Sequence, residues 1–331
     1  MMRSVHFGCA WPVILAFLVA CPIARAQMDT NAKSFRGRDL AGADLRGADL
    51  ANANLDGAIL TGATLVGADL RGASLRGADL REAYLREVRA RGADFSAAKL
   101  DGSDLTRADL RDAKFESASL TLAVLDGARL DNADLRRAFL PGARLVKAQL
   151  SRANLEAAML AAADLTQANL AEANFQNADL GAAGLGQPAP RGARLVGADL
   201  TGANLTGANL TSANLREAIL TRAVFTRARL GDADLTWVRA YGADFSDAML
   251  AWMRAYGADF RSAKFHNARL DSAQFVGADL RGADLTGAKL KGTNLSQANL
   301  AGADLRGAEI RDVLIGAARN VPAAFREATQ P

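Results

Sequence analysis

The chain has 331 residues, half of them hydrophobic but only 6% aromatic, and its 40 Lys and Arg against 36 Asp and Glu leave a formal net charge of +4. So near a balance makes the chain a poor electrostatic imitation of nucleic acid. Its two cysteines, Cys9 and Cys21, and two histidines exclude a disulfide framework and a His/Cys metal cluster.

Residues 1–26 read as an export signal, with Arg3 in a short n-region, an apolar run from Cys9 to Cys21, and Ala24-Arg25-Ala26 before Gln27. The apolar run is too short for a membrane span. Two processing routes are open. The Ala-x-Ala end points to cleavage after Ala26 and a soluble periplasmic or secreted product. Leu18-Val19-Ala20-Cys21 instead resembles the lipobox of bacterial lipoproteins, which makes 1–20 the signal and an acylated Cys21 the membrane anchor. Cleavage after Ala26 leaves His266 as the only histidine and removes Arg3 and Arg25, which lowers the formal charge by two.

Residues 27–34 form a polar lead-in. From Phe35 to Ile315 one five-residue unit then recurs, most plainly in GADLTGANLTGANLTSANL over 197–215. With the Leu or Phe centre called i, Ala stands at i−2, Asp or Asn often at i−1 and Gly often at i+2. The phase never slips over about fifty-seven units, which predicts an array without insertion. A helix is disfavoured, because five residues advance it by roughly 140° beyond a full turn and the centres spiral around it. A flat strand is disfavoured too, because an odd period moves successive centres to opposite faces. What remains is a short extended piece carrying i−2 and i on one side, followed by a corner at i+1 and i+2.

These units resemble those of the pentapeptide-repeat family, whose A(D/N)LXX motifs build a four-sided coil. The resemblance covers 35–315. It implies an all-β fold, a right-handed quadrilateral parallel β-helix with about 20 residues per coil and about 14 coils, some 65–70 Å long at ~4.8 Å per coil. Family members that protect bacterial topoisomerases present an acidic rod resembling DNA. Near-neutral charge and export depart from that pattern and leave DNA mimicry a distant alternative.

If residues twenty apart stack, Phe35, Phe95, Phe115, Phe175 and Phe275 form one column and Phe225, Phe245 and Phe265 another, with Phe260 outside both. Volume exchange supports a shared interior. Where the centre shrinks to Ala90, Ala240 or Ala255, the i−2 residue grows to Val88, Val238 or Met253.

The motif fails over 186–192, where Pro188 and Pro190 take both inward positions. Proline cannot donate to a ladder, so this side is expected to bulge from a continuous helix, with a break into two towers as the alternative. Residues 316–331 end the chain as a cap or tail. Val321 and Phe325 are expected to cover the open end on a short helix, or to join Val313, Leu314 and Ile315 in a homodimer contact.

No catalytic, cofactor or metal site is expected. Asp recurs at i−1 on every side, as in Asp44, Asp49, Asp69 and Asp79, where it bonds the local turn, so paired carboxylates carry no special meaning. Glycines mark corners, since no helix follows them.

The recognition candidate is an aromatic patch. Trp237 and Tyr241 in WVRAYGADF, and Trp252 and Tyr256 in WMRAYGADF, fall within twenty residues, with a fainter copy, VRARGADF, from Val88. Twenty-residue stacking places Trp237 below Gly257, Arg239 under Asp259 and Arg254 over Asp234. Trp, Tyr and Arg are the usual composition of an interface centre, so Trp237, Arg239, Tyr241, Trp252, Arg254 and Tyr256 are the expected binding surface; the alternative is that these rings merely cover widened corners.

Other candidates are weaker. Arg71, Arg89, Arg91, Arg111 and Arg129, with Arg229, Arg269, Lys289 and Lys291 lower down, suggest one basic side, diluted by Asp49, Asp69, Asp109 and Asp131. Ile59, Phe139, Met159 and Ile219 suggest an outward apolar column. Thr201 with Thr221 and Thr206 with Thr226 form short threonine columns that raise ice or polysaccharide binding. The expected function is a non-enzymatic scaffold or interaction module of the bacterial envelope. Its partner is a protein or an anionic or glycan polymer; nucleic acid is not expected, and membrane attachment requires lipidation of Cys21. A purely structural rod and a cryptic glycan-active enzyme are the competing classes.

Overall fold

The computed structural model describes residues 33–182, 192–323 and 325. The export signal, most of the lead-in, Pro188 and Pro190 lie outside them.

Each unit places its i−1 residue in a parallel bridge to the next coil, twenty residues on, as in Ser34 to Asn54, Asp39 to Ile59, Asp44 to Thr64 and Asp49 to Asp69. Four successive bridges complete one coil, so the molecule is a four-sided β-solenoid; we number its sides 1 to 4 from these four ladders. The centre's N–H donates across to the next coil and the i−1 N–H donates to the previous one, as in Leu60 to Asp79 (2.7 Å) and Ile59 to Arg38 (2.8 Å). Corners close locally, Ala58 N–H donating to Leu55 O at 3.0 Å. The i+2 residue takes a left-handed φ whether or not it is glycine, from Gly57 at 63° to Asn52 at 57°.

Alternation does the rest. Among the described residues, those at i−2 and i face inward and are buried from Ala48 to Leu300 wherever Ala, Leu or Phe fills them. Val88 with Ala90, Val238 with Ala240, and Met253 with Ala255 are all buried, so the exchanged volumes do share one interior. Ser103 and Thr293 carry hydroxyls into that interior and satisfy them on the Leu100 and Leu270 carbonyls at 2.7 and 2.8 Å. At the i−1 positions, Asp and Asn accept from the N–H two residues on, as in Asp104 to Thr106 at 2.9 Å, which is the turn role expected of them.

The expectation of an array without insertion is wrong. Across the Pro188 region the ladder steps by thirty residues instead of twenty, pairing Asp164 with Arg194, Asn169 with Asp199, Asn174 with Asn204 and Asp179 with Asn209. Ala193 N–H donates to Leu180 O at 2.8 Å, the bond a residue ten positions earlier would have made. The excess of ten is two whole units, so the five-residue phase is kept while the side is exchanged for the opposite one. Coil pairing nonetheless continues across it, and an asparagine ladder runs through the step, with Asn174 donating to Asn154 at 3.1 Å and Asn204 to Asn174 at 3.4 Å.

The phenylalanine columns change accordingly. Phe35, Phe95, Phe115 and Phe175 continue into Phe225, Phe245 and Phe265 on side 1, whereas Phe275 lies on side 3. Phe225, Phe245 and Phe265 stack at 4.7 and 5.1 Å, and Phe95 stacks on Phe115 at 4.9 Å. Phe260, on side 4, belongs to no column but meets Phe245, Phe265 and Phe275 edge-on at 5.8, 5.3 and 5.6 Å. At the far end the pairing continues past Ile315 to Arg319, opposite Asn299. Phe325 is buried against the core and Val321 is partly buried, while Leu314 stays exposed.

Candidate functional site

The two Trp-Arg-Tyr copies are built by alternation on a fixed backbone. In 237–241, Val238 and Ala240 point inward and are buried, which turns Trp237, Arg239 and Tyr241 outward on side 4. In 252–256, Met253 and Ala255 point inward and Trp252, Arg254 and Tyr256 outward on side 3. Fifteen residues separate the copies, three units of a four-unit coil, so the second copy lies on the adjacent side and not above the first. They meet at a corner, where Trp237 N–H donates to Tyr256 O at 2.9 Å. Exposure is high throughout: 59% for Trp237, 63% for Trp252, 45% for Tyr241 and 38% for Tyr256.

The rings are placed at a cost. Trp237 and Trp252 occupy the left-handed corner position at φ 61° and 63°, where an L side chain is disfavoured by roughly 1–2 kcal/mol. The Trp237 indole lies across Gly257 so closely that a Cβ there would come within 2.3 Å of Cζ3. Gly257 is therefore needed twice, for its own φ of 60° and for the ring upon it. No glycine stands in the corresponding place above Trp252, where Ser272 is found.

The charges between the rings are unequally satisfied. Arg254 bridges to Asp234 as expected, and its guanidinium shares that carboxylate with Arg216, each at 3.6 Å. Arg239 pairs with Asp259 in the backbone ladder, yet makes no ion pair among the described residues. Asp259 is taken by Arg261, which donates from Nε and Nη2 at 2.8 Å each and from its own backbone N–H at 3.1 Å. The Arg261 hydrogen bond holds the Asp259 carboxyl below the ordinary carboxylate range, against the opposing effect of burial. Arg261 Cζ also lies 5.9 Å from the centre of the Tyr241 ring.

Arg261 was not among the residues expected from sequence. It belongs to a recurring Asp-x-Arg clip in which the i−1 carboxylate grips the i+1 guanidinium, as in Asp69 with Arg71 and Asp279 with Arg281. The spacing of Asp-Leu-Arg and Asp-Phe-Arg at i−1 and i+1 was the signal.

The basic side does not exist as one surface. Arg89 and Arg129 lie on side 4, whereas Arg229, Arg269 and Lys289 lie on side 2, because the thirty-residue step carries them to the opposite side. On side 4 arginines alternate with acids, and Arg89 Nη2 approaches Asp69 at 3.5 Å. The apolar column is corrected for the same reason: Phe139 bridges directly to Met159, and Ile59 shares their side 2, but Ile219 is on side 4. Met249 takes its place on side 2. Thr201 and Thr206 do lie against Thr221 and Thr226, after which Tyr241 and Ser246 succeed them. His266 bonds locally, its Nε2 accepting from Asn267 Nδ2 at 3.0 Å and its Nδ1 paired with Thr286 Oγ1 at 2.8 Å. Among the described residues no cluster of His, Cys, Asp and Glu is arranged to hold a metal, and no helix is long and apolar enough to cross a membrane.

The family described as Pentapeptide repeats matches in eight copies, over residues 39–77, 78–116, 108–145, 148–183, 191–222, 218–252, 243–282 and 278–314. No curated protein sequence matches the chain. Similar solved structures include HetL, a pentapeptide repeat protein involved in heterocyst differentiation regulation from the cyanobacterium Nostoc sp. strain PCC 7120, at 32% identity over 65% of this chain and 88% of that one, with a TM-score of 0.38. A trypsin-treated form of QnrB1, a plasmid-mediated fluoroquinolone resistance protein, is similar at 22% identity over 70% and 95%, with a TM-score of 0.37. Rfr23 of the cyanobacterium Cyanothece 51142 is similar at 20% identity over 46% and 90%, with a TM-score of 0.15.

Proposed function

The chain belongs to the pentapeptide-repeat family, and from that premise we propose that it is an exported, non-enzymatic scaffold of the bacterial envelope. Its coil is right-handed and quadrilateral, with about fourteen turns in a rod of some 65–70 Å. It recognises a partner through Trp237, Arg239, Tyr241, Trp252, Arg254 and Tyr256. One observation carries the reading: two tryptophans stand 59% and 63% exposed at neighbouring corners of the coil, Trp237 bonded through its backbone to Tyr256. Packing alone does not call for them, because the neighbouring corners accept Gly242 and Ser262 on the same backbone. Exposed rings joined to an interface-type composition favour selection for contact over selection for stability.

Export rests on the composition of residues 1–26, with release after Ala26 or anchoring through Cys21 as its two outcomes. The test is crosslinking of the tagged full-length protein in its native envelope, parent against a Trp237→Ala and Trp252→Ala double variant. The parent is expected to capture a discrete species that the variant loses, with both proteins melting alike. Equal capture by both removes the surface. Recovery of all the protein from the cytoplasmic fraction removes the envelope assignment.

A further inference from the structure

We infer that the two Trp-Arg-Tyr tracks together bind a linear polysaccharide carrying carboxylates on its sugar rings, a reading that rests on the recognition surface proposed above. Trp252, Arg254 and Tyr256 lead along side 3 to the corner shared with Trp237, from which Arg239 and Tyr241 continue along side 4. The line therefore presents ring, guanidinium, two rings, guanidinium and ring.

Backbone recognition is closed to a ligand here. Arg239 N–H donates to Ala218 O at 3.0 Å and its carbonyl accepts from Leu220 at 2.7 Å. Arg254 N–H donates to Ala233 O at 2.9 Å and its carbonyl accepts from Leu235 at 2.6 Å. An extended peptide thus finds no sheet edge to augment. The line also turns a corner, so the surface is convex. A folded protein needs a matching concavity to cover it, whereas a linear polymer can bend around it.

The side chains favour sugars with acid groups. An exposed aromatic face is electron-rich and suits the C–H face of a sugar ring. The glycine seat at Gly257, against which the Trp237 indole lies, holds that ring in one orientation before any ligand arrives. Arg239 supplies a planar fork for a carboxylate, and the one acid stacked on it, Asp259, is already engaged by Arg261. Arg254 and Arg216 share the single carboxylate of Asp234, which leaves a positive charge over on side 3 as well. Rings and guanidinium groups recur in order, as rings and carboxylates do along such a polymer.

Polygalacturonate, its fully methyl-esterified form and polyglutamate separate ring, charge and both. The full chain with Trp11→Phe leaves Trp237 and Trp252 as its only tryptophans, so emission reports the site alone. Polygalacturonate is expected to shift that emission. Methyl esterification and Arg239→Gln should each weaken the response by about tenfold or more, and Arg89→Gln, on the same side without rings, should leave it unchanged. A shift of equal size with polyglutamate, no shift with polygalacturonate, or equal losses in the Arg89→Gln and Arg239→Gln proteins overturns the inference. If the polymers fail while the double tryptophan variant still loses its crosslinked species, the polysaccharide is wrong and the recognition surface stands.

Discussion

The segments 87–95 and 237–245 occupy the same two sides of the solenoid and differ almost only on the outside. Both bury Val, Ala, Ala and Phe at their inward positions, Val88 to Phe95 in one and Val238 to Phe245 in the other. Both begin with a left-handed residue, Glu87 at φ 55° and Trp237 at φ 61°. Outward, the first shows Glu87, Arg89 and Arg91, each in an ion pair with a neighbouring coil, to Arg107, Asp69 and Asp112 respectively. The second shows Trp237, Arg239 and Tyr241 and makes no ion pair through Arg239 among the described residues. The coil prescribes what faces in, because overfilling and voids are both penalised in a sealed interior. It leaves the outward residues free to vary, and only one of the two copies uses them to display rings.

Substitutions inside should therefore act on both copies, and substitutions outside on one. Phe95→Ala is expected to cost about 3–5 kcal/mol in urea unfolding, and Phe245→Ala up to roughly 1 kcal/mol more, because Phe245 also meets Phe260 edge-on. A mild effect at either position would break the claim of a common interior. Gly92→Ala meets nothing within 4 Å and carries only the left-handed φ of 68°, a cost of about 1 kcal/mol. Gly257→Ala carries the same cost plus displacement of the Trp237 ring, so it should melt lower than Gly92→Ala and alone shift tryptophan emission. Equal behaviour of the two would show that the indole is not seated on Gly257.

The outward changes are smaller. Trp252→Gly relieves a left-handed tryptophan and should leave stability within about 1 kcal/mol of the parent, on the favourable side, while binding is lost. Acid sharpens the comparison least. Hydrogen bonds from arginine hold Asp69, Asp109 and Asp259 below the ordinary carboxylate range in the folded protein. The unfolded chain therefore binds protons first, so stability is fully present above about pH 4 and declines as pH falls through the lowered values. Because the paired arginines Arg71, Arg111 and Arg261 all remain in contact with solvent, a thermal melting series is expected to show a shallow decline there that salt reduces.

Much of this was legible in residue order. Inward and outward positions, the turn role of Asp and Asn, the Val238 and Met253 exchanges and the place of Trp237 beneath Gly257 all follow from a local five-residue rule, since each depends on alternation within a unit or one regular coil. The adjacency of the two Trp-Arg-Tyr copies was written there too, in their fifteen-residue spacing, but reading it requires the coil to be followed around a corner. Arg239 is a different case: its ladder neighbour was foreseeable, whereas the engagement of Asp259 by Arg261 is a competition between two guanidinium groups that geometry decides.

A repeated unit by itself determined what is buried, because alternation and corner chemistry act over a few neighbouring residues and need no knowledge of the rest. Which side each residue faces was decided only by tertiary pairing. An excess of two units between Leu180 and Ala193 leaves the five-residue phase intact yet exchanges opposite sides, so it separates Ile219 from Phe139 and splits the basic residues, and its local trace, the failed motif at 186–192, does not say how many units leave the coil. Its distant sign was the two phenylalanine columns standing ten residues out of step, which, Phe275 apart, are a single column once the coils are paired.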